Sequence, residues 1–456
     1  MRQTDKTLLF ETEPIPRAVV TLAVPGVISS LVMVLYNMAD TFFVGMLNNP
    51  VENAAVTLVA PVMLAFNAVN NLFGVGASSM MSRAMGSGNQ DTVRRSSVFG
   101  FYCALLSGLL FSLGVTVLFT PLLRLLGADA GTMEATAAYM RWTVCLGAAP
   151  SILNVVMAYL FRAEGSSLHA SIGTMSGCLL NIVLDPIFIL PWGLNMGAAG
   201  AGCATFVSNC VACLYFLTLI AVRRGKTLVC IHPKWFSFRR DIVLGVCGVG
   251  VPAAIQNLLN VVGMTVLNNF TASYDASAVA AMGIAQRVSM VPMYVSMGVS
   301  QAVMPLVGYN YASGNHKRMK EVVRFSTKIS LIFQTTVTAL CWIFPSAIIS
   351  LFMKDAAIVA YGRQFLRGLS LAQPFLCVDF LAVGVFQACG MGSSALVFAV
   401  LRKVVLEIPA LVILNAIFPL YGLAYAQLCA EVVLAVAAVL TLRRIFRRLE
   451  RSTRLQ

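Results

Sequence analysis

The sequence predicts an all-α polytopic membrane protein of twelve transmembrane helices, in two six-helix bundles related by a pseudo-two-fold axis along the membrane normal. Three observations predict it. Apolar residues come in blocks of twenty or more, basic residues collect on alternate connections, and the chain repeats itself at half its length. Of 456 residues, 59% are hydrophobic and 11% charged, whereas soluble domains carry roughly 25% charged residues. Such a chain cannot cover a water-facing surface with polar groups. A helix needs roughly 20 apolar residues to cross the hydrocarbon of a bilayer.

The apolar blocks place spans at 17–46, 54–82, 96–119, 136–161, 168–191 and 198–221 in the first half. The second half places them at 242–270, 277–307, 324–344, 360–388, 395–417 and 421–443. Span 1 carries Pro25-Gly26, and span 2 carries Pro61, Gly74 and Gly76. Spans 7, 8 and 11 carry Pro252, Pro292 and Pro409. Each proline breaks the helical hydrogen-bond ladder, which a membrane tolerates where neighbours or a water-filled cavity satisfy the freed carbonyls. Residues 1–221 are expected to form the N-terminal bundle, 222–241 a basic cytoplasmic linker, and 242–456 the C-terminal bundle.

Three anchors carry the repeat. Pro25 matches Pro252 at an offset of 227, Ser87-Gly88-Asn89 matches Ser313-Gly314-Asn315 at 226, and Gly165-Ser166-Ser167 matches Gly392-Ser393-Ser394 at 227. Six spans return the chain to the side it left, so both halves start with the same orientation, as in parallel transporter repeats.

The net charge of +14 reads as topology rather than as nucleic-acid binding. Twenty-five of the 32 Lys and Arg residues are assigned to one side of the membrane, among them Arg2, Lys6, Arg402, Lys403 and the arginines after span 12. Basic loops stay cytoplasmic, so both termini are expected in the cytoplasm. The first apolar block is too long for a cleavable signal peptide. The twelve cysteines are scattered, almost all within spans, and Cys210 with Cys213 forms a C-x-x-C lacking a second pair or a nearby His, so packing is the expected role. The three His residues show no metal-site spacing, and no protease, hydrolase or P-loop signature is present. An enzyme is therefore not expected, nor a cofactor.

Ionisable groups inside spans mark function by default. Asp40 lies about seven residues from the outer end of span 1, and Asp185 about six from that of span 5, so both sit roughly 10 Å below the outer boundary. Thr205 in span 6 reaches a similar depth, and Asn181 shares a helix face with Asp185. These oxygens suit a hard cation, and full ionisation of adjacent carboxylates is costly, so H+ or Na+ is the expected guest. The repeat equivalents of Asp40, Asp185 and Asn181 are Leu267, Ile408 and Val404, and that asymmetry favours function over scaffolding. Among the remaining charges, Lys403 and Glu407 have i, i+4 spacing for a structural pair, Glu431 is ambiguous, and Arg287 reads as the clear basic group within a span. Substrate-cleft candidates are Met33, Tyr36, Asn37, Asn67, Asn70, Gln256, Asn260, Arg287, Met290, Tyr294 and Asp379, since amides, aromatics and thioethers suit varied amphipathic ligands.

Tyr36-Asn37-Met38-Ala39-Asp40-Thr41, Asn181-Ile182-Val183-Leu184-Asp185-Pro186, Gly197-Ala198-Ala199-Gly200-Ala201-Gly202 and Pro305-Leu306-Val307-Gly308-Tyr309-Asn310 occur in an order that resembles the bacterial branch of the multidrug and toxic compound extrusion (MATE) family. The likeness covers nearly the whole chain. It implies an antiporter expelling cationic or amphipathic drugs in exchange for H+ or Na+, with its ion site on Asp40, Asn181, Asp185 and Thr205. It also implies a monomer in the cytoplasmic membrane whose partners are small organic substrates and lipid. Some relatives carry an acid in span 7, where this chain offers Gln256. The rival reading is a lipid-linked precursor flippase, which calls for a more strongly cationic cavity.

Overall fold

The computed structural model describes residues 8–454, so Arg2 and Lys6 fall outside the described residues. All regular elements among the described residues are helical. The twelve expected spans are α1 (Ile15–Gly45), α2 (Pro50–Gly86), α3 (Gln90–Val117), α4 (Met133–Leu146 and Ala148–Ala163, bent by 48°), α5 (Ser167–Ile189) and α6 (Ala198–Val222). They continue as α7 (Arg240–Ala272), α8 (Ala276–Ala312), α9 (His316–Ile343), α10 (Ala356–Ala388), α11 (residues 392–417) and α12 (Ala426–Arg454). Ten are long and apolar enough to span, counting bent α4 as one. The exceptions are α9, whose first turns are polar, and α11, which carries Arg402, Lys403 and Glu407.

The repeat is visible in local geometry. Gly88 and Gly314 both take positive φ, 72° and 77°, where a side chain would be strained. The following Asn89 and Asn315 cap α3 and α9 by accepting from the Thr92 and Arg318 amides at 3.0 and 3.1 Å. The third anchor shifts. The glycine matching Gly165 (φ 83°) is Gly390 (φ 78°), an offset of 225. In both, the next residue's amide reaches back to a carbonyl five residues earlier, Ser166 to Phe161 and Met391 to Phe386. Gly392 opens α11 instead.

Packing divides the chain into two compact units, one built mainly from Ile28–Ala254 and the other from Phe10–Val27 with Ile255–Gln456. The division falls inside α1 and α7, just past Pro25-Gly26 and Pro252, rather than at the 222–241 loop. In the first unit, Gly250 of α7 lies so near α2 that a Cβ there would meet the Leu72 carbonyl at 1.9 Å. The 222–241 loop also packs within this unit. Ser97 donates to Cys230 O (2.9 Å), and the rings of Phe99, Phe236 and Phe238 cluster with centroids 5.0–6.4 Å apart. In the second unit, Phe10 stacks on Tyr309 at 5.0 Å, and Arg318 donates to the Phe10 and Glu13 carbonyls at 2.8 and 2.6 Å.

One topology assignment is corrected. Arg402 and Lys403 are not in a basic connection; they lie about ten residues into α11 and are 3% and 8% exposed. Leu401–Glu407 is wound as wide π-helical turns, which turn Arg402, Lys403 and Glu407 all inward. Arg287 is therefore not the sole basic group within a span, and it is exposed without an ion pair among the described residues.

Candidate functional site

Near the C-terminal end of α1, Asp40 lies five residues before the helix ends at Gly45; Asp185 lies four residues before α5 ends at Ile189. Asp185 is fully buried, Asn181 is 2% exposed and Asp40 is half-buried. The two carboxylates are close enough for their charges to act on each other. Neither forms an ion pair with a basic residue among the described residues.

The polar groups around Asp185 form a directed chain. An ionised carboxylate only accepts, so the group of Asn181 facing it is the amide nitrogen, which donates to Oδ2 and Oδ1 at 2.8 and 3.1 Å. The Asn181 oxygen then accepts from the Thr205 amide and hydroxyl at 3.0 and 3.2 Å. Tyr36 lies beside the Thr205 side chain. It stands one turn before Asp40 on α1, so Tyr36, Thr205, Asn181 and Asp185 are neighbours between the helices bearing both acids. The four residues expected to gather do gather, in one unit. Tyr36, expected in a substrate cleft, joins them.

Tyr139 of α4 was not anticipated. It is 7% exposed and feels the charge of both Asp40 and Asp185. Gly202 of α6 packs against its carbonyl. Nothing in the sequence around Tyr139 distinguishes it from a packing aromatic, so no signal was available.

The cleft candidates separate by unit. In the first, Met33 is partly exposed, Asn37 and Asn67 are exposed, and Asn70 is buried with its side-chain oxygen unbonded. In the second, Gln256, Asn260, Met290 and Tyr294 are partly exposed, and Gln256 accepts from Gln387 of α10 at 3.3 Å. Asp379 is 1% exposed and faces Arg402 at 3.6 Å, so it points into helix packing rather than into open space. Arg402 also meets Glu431 of α12 at 2.6 Å, and Lys403 holds both Glu407 oxygens at 2.8 and 2.7 Å.

The family model for MatE matches this chain twice, over residues 25–187 and 252–413, so its two copies begin 227 residues apart. The multidrug export protein MepA of Staphylococcus aureus strain MRSA252 is 32% identical over 432 residues, covering 94% of each chain. The protein of the same name from Staphylococcus saprophyticus is 30% identical over 431 residues, again covering 94% of each. A solved outward-facing structure of a multidrug resistance MATE family transporter of the MOP superfamily matches with a TM-score of 0.91 at 27% identity, covering 97% of this chain and 98% of that one.

Proposed function

The chain belongs to the MatE family, and from that premise we propose that it is a secondary antiporter in the bacterial cell membrane. It exports cationic or amphipathic small organic molecules in exchange for H+ or Na+, by alternating access, as a monomer with both termini in the cytoplasm. The observation that carries this reading is the pair Asp40 and Asp185. Two carboxylates in one helical interior, without a basic partner among the described residues, leave a charge for a small cation to neutralise. The Asn181 amide nitrogen donates to Asp185, and the Thr205 hydroxyl and the Tyr36 phenol lie next to it.

Exchange requires that the ion bind one conformation better than the other. Neutralising Asp185 weakens its demand on Asn181 and loosens the Asn181–Thr205 contact that Tyr36 of α1 lies beside. Ion binding is thereby tied to the position of the outer part of α1. Met33, Asn37, Asn67 and Asn70 in the first unit, and Gln256, Asn260, Met290 and Tyr294 in the second, are the proposed substrate contacts. Arg287, exposed on α8, is a further contact for anionic groups on a substrate.

The flippase reading calls for an interior of net positive charge. Asp40 and Asp185 of the first unit instead have no basic partner among the described residues, which favours cationic cargo.

The test is export of fluorescent organic cations from proteoliposomes, with pH and Na+ gradients imposed separately. The wild type should export against a concentration gradient when one of the two is supplied. Asp40→Asn should lose the gradient-driven component while folding normally. Undiminished gradient-driven export by that variant would overturn the assignment.

A further inference from the structure

Among the described residues, five acidic and basic side chains are buried within the second unit's helices, and they do not balance. Asp379 of α10, Arg402, Lys403 and Glu407 of α11, and Glu431 of α12 are each at most 8% exposed. Lys403 is paired with Glu407 through both carboxylate oxygens. That leaves one guanidinium, Arg402, between Glu431 at 2.6 Å and Asp379 at 3.6 Å, with its face 4.9 Å over the Phe380 ring. Three acids thus meet two cations. The charged groups acting on Glu431 are Arg402, Asp379, Glu407 and Lys403, and α12 also brings Gln427 one turn before it. From α10 the Cys377 thiol adjoins Glu431, and α7 presents only Gly263 beside Lys403.

An uncompensated charge in such a place is among the most destabilising features a protein interior can hold. Asp379 Oδ1 and both carboxylate oxygens of Glu431 accept no hydrogen bond from the described residues. Each has room in its valence for a proton.

We propose that Asp379 and Glu431 form a proton-binding site that takes up one proton, on one carboxyl group or the other, and that Arg402 closes this site to metal ions. A metal ion demands several converging oxygens, and the place between these carboxylates is already filled by a positive guanidinium. A proton needs only one oxygen. It binds as a covalent O–H on one carboxyl group and leaves as H+ to water or to the other carboxylate, with no further reactant. The π-helical winding of α11, a feature that recurs at functional sites, brings both cations inward. The site is separate from Asp40 and Asp185 and does not rest on their assignment.

Charge counting supplies the test. The full chain in nanodiscs is examined by infrared difference spectroscopy, reading the carbonyl stretch of protonated carboxyl groups and its deuterium shift at neutral pH. The background is Asp40→Asn with Asp185→Asn, which silences the first-unit acids. In that background one protonated-carboxyl band should remain. Adding Glu431→Gln, Asp379→Asn or Glu407→Gln should each abolish it, because two acids then meet two cations. Adding Lys403→Met should instead raise its intensity about two-fold, so a variant of the opposite sign guards against simple misfolding. No such band in the background variant would overturn the proposal. So would a band indifferent to both Asp379→Asn and Glu431→Gln. Sodium titration should leave the band unchanged, and its displacement by Na+ would refute the role given to Arg402. Transport by the same variants is a separate readout, so failure of the antiport reading and failure of this site are distinguishable.

Discussion

The buried Lys403–Glu407 pair offers a quantitative check on where α11 sits. The two side chains are about nine-tenths buried and Lys403 reaches both carboxylate oxygens within 2.8 Å. An i, i+4 pair on a solvated helix face contributes about 0.3–0.5 kcal/mol. Breaking a buried pair by removing one partner costs about 3–5 kcal/mol, because the other group loses its contact and must stay charged without it or change its protonation. Lys403→Met and Glu407→Gln should therefore each destabilise by about 3–5 kcal/mol. The double variant strands nothing, and exchanging a buried pair for uncharged groups of similar volume is neutral or stabilising by up to about 4 kcal/mol. The double-mutant cycle should then show a coupling of about 3 kcal/mol or more, with the double variant more stable than either single one. The measurement is reversible unfolding in mixed micelles, with helical circular dichroism as the signal. Single variants that cost under about 1 kcal/mol and add without coupling would place the pair in water, and the interior position of α11 would fall with it.

Three further outcomes are expected in the first unit. Gly173 of α5 faces the buried Phe216 ring, which a Cβ would meet at 2.3 Å, so Gly173→Ala should cost about 1–3 kcal/mol of overpacking, and Phe216→Leu in the same chain should recover much of it in thermal unfolding. Glu164 is 1% exposed and accepts from Leu228 N at 2.7 Å, Thr227 Oγ1 at 3.0 Å and Ser166 Oγ at 2.8 Å. Since each stranded buried donor costs about 1–3 kcal/mol, Glu164→Ala should release the loop and speed tryptic cleavage at Arg223, Arg224 and Lys226; an unchanged cleavage rate would count against the anchor. Before α4, the Asp129 carboxylate is held below its ordinary range by the Thr132 hydroxyl, then by the Thr132 and Gly131 amides. A depressed carboxylate contributes above its unfolded value and loses that contribution as pH falls through its folded one. Hydrogen exchange at Gly131 and Thr132, corrected for intrinsic rate, should rise in acid below the usual aspartate range, and a flat profile would refute the turn.

What was legible in the sequence had its information in local chemistry. Apolar runs located the spans because a bilayer imposes one length on every crossing. Asp40, Asn181, Asp185 and Thr205 were found because depth follows from counting residues inward from the outer helix ends, and all four meet in one unit. Arg402 and Lys403 failed for the converse reason. Two adjacent cations look like a connection to any reading that averages polarity along the chain, and only three-dimensional packing reveals the carboxyl groups of α10 and α12 that make their burial tolerable. Tyr139 failed because an aromatic inside an apolar helix carries no mark of what it faces. The shift of the third anchor to Gly390 arose because Gly392-Ser393-Ser394 copies the letters of Gly165-Ser166-Ser167 while the positive-φ cap has moved two residues upstream.

These errors share a physical origin that bears on function. The repeated halves have the same fold but opposite electrostatic solutions. In the first, Asp40 and Asp185 form no ion pair with a basic residue among the described residues. In the second, Arg402 and Lys403 are built into the chain and answer Asp379, Glu407 and Glu431 all but for one charge. A duplicated scaffold does not need that difference, since helix packing alone would be served equally well by apolar residues at every one of these positions. An antiporter of the kind proposed, exchanging one class of cation for another, would need it. One acid site must stay open to solution ions, while any other must be defended against them, or both halves would answer every cation alike.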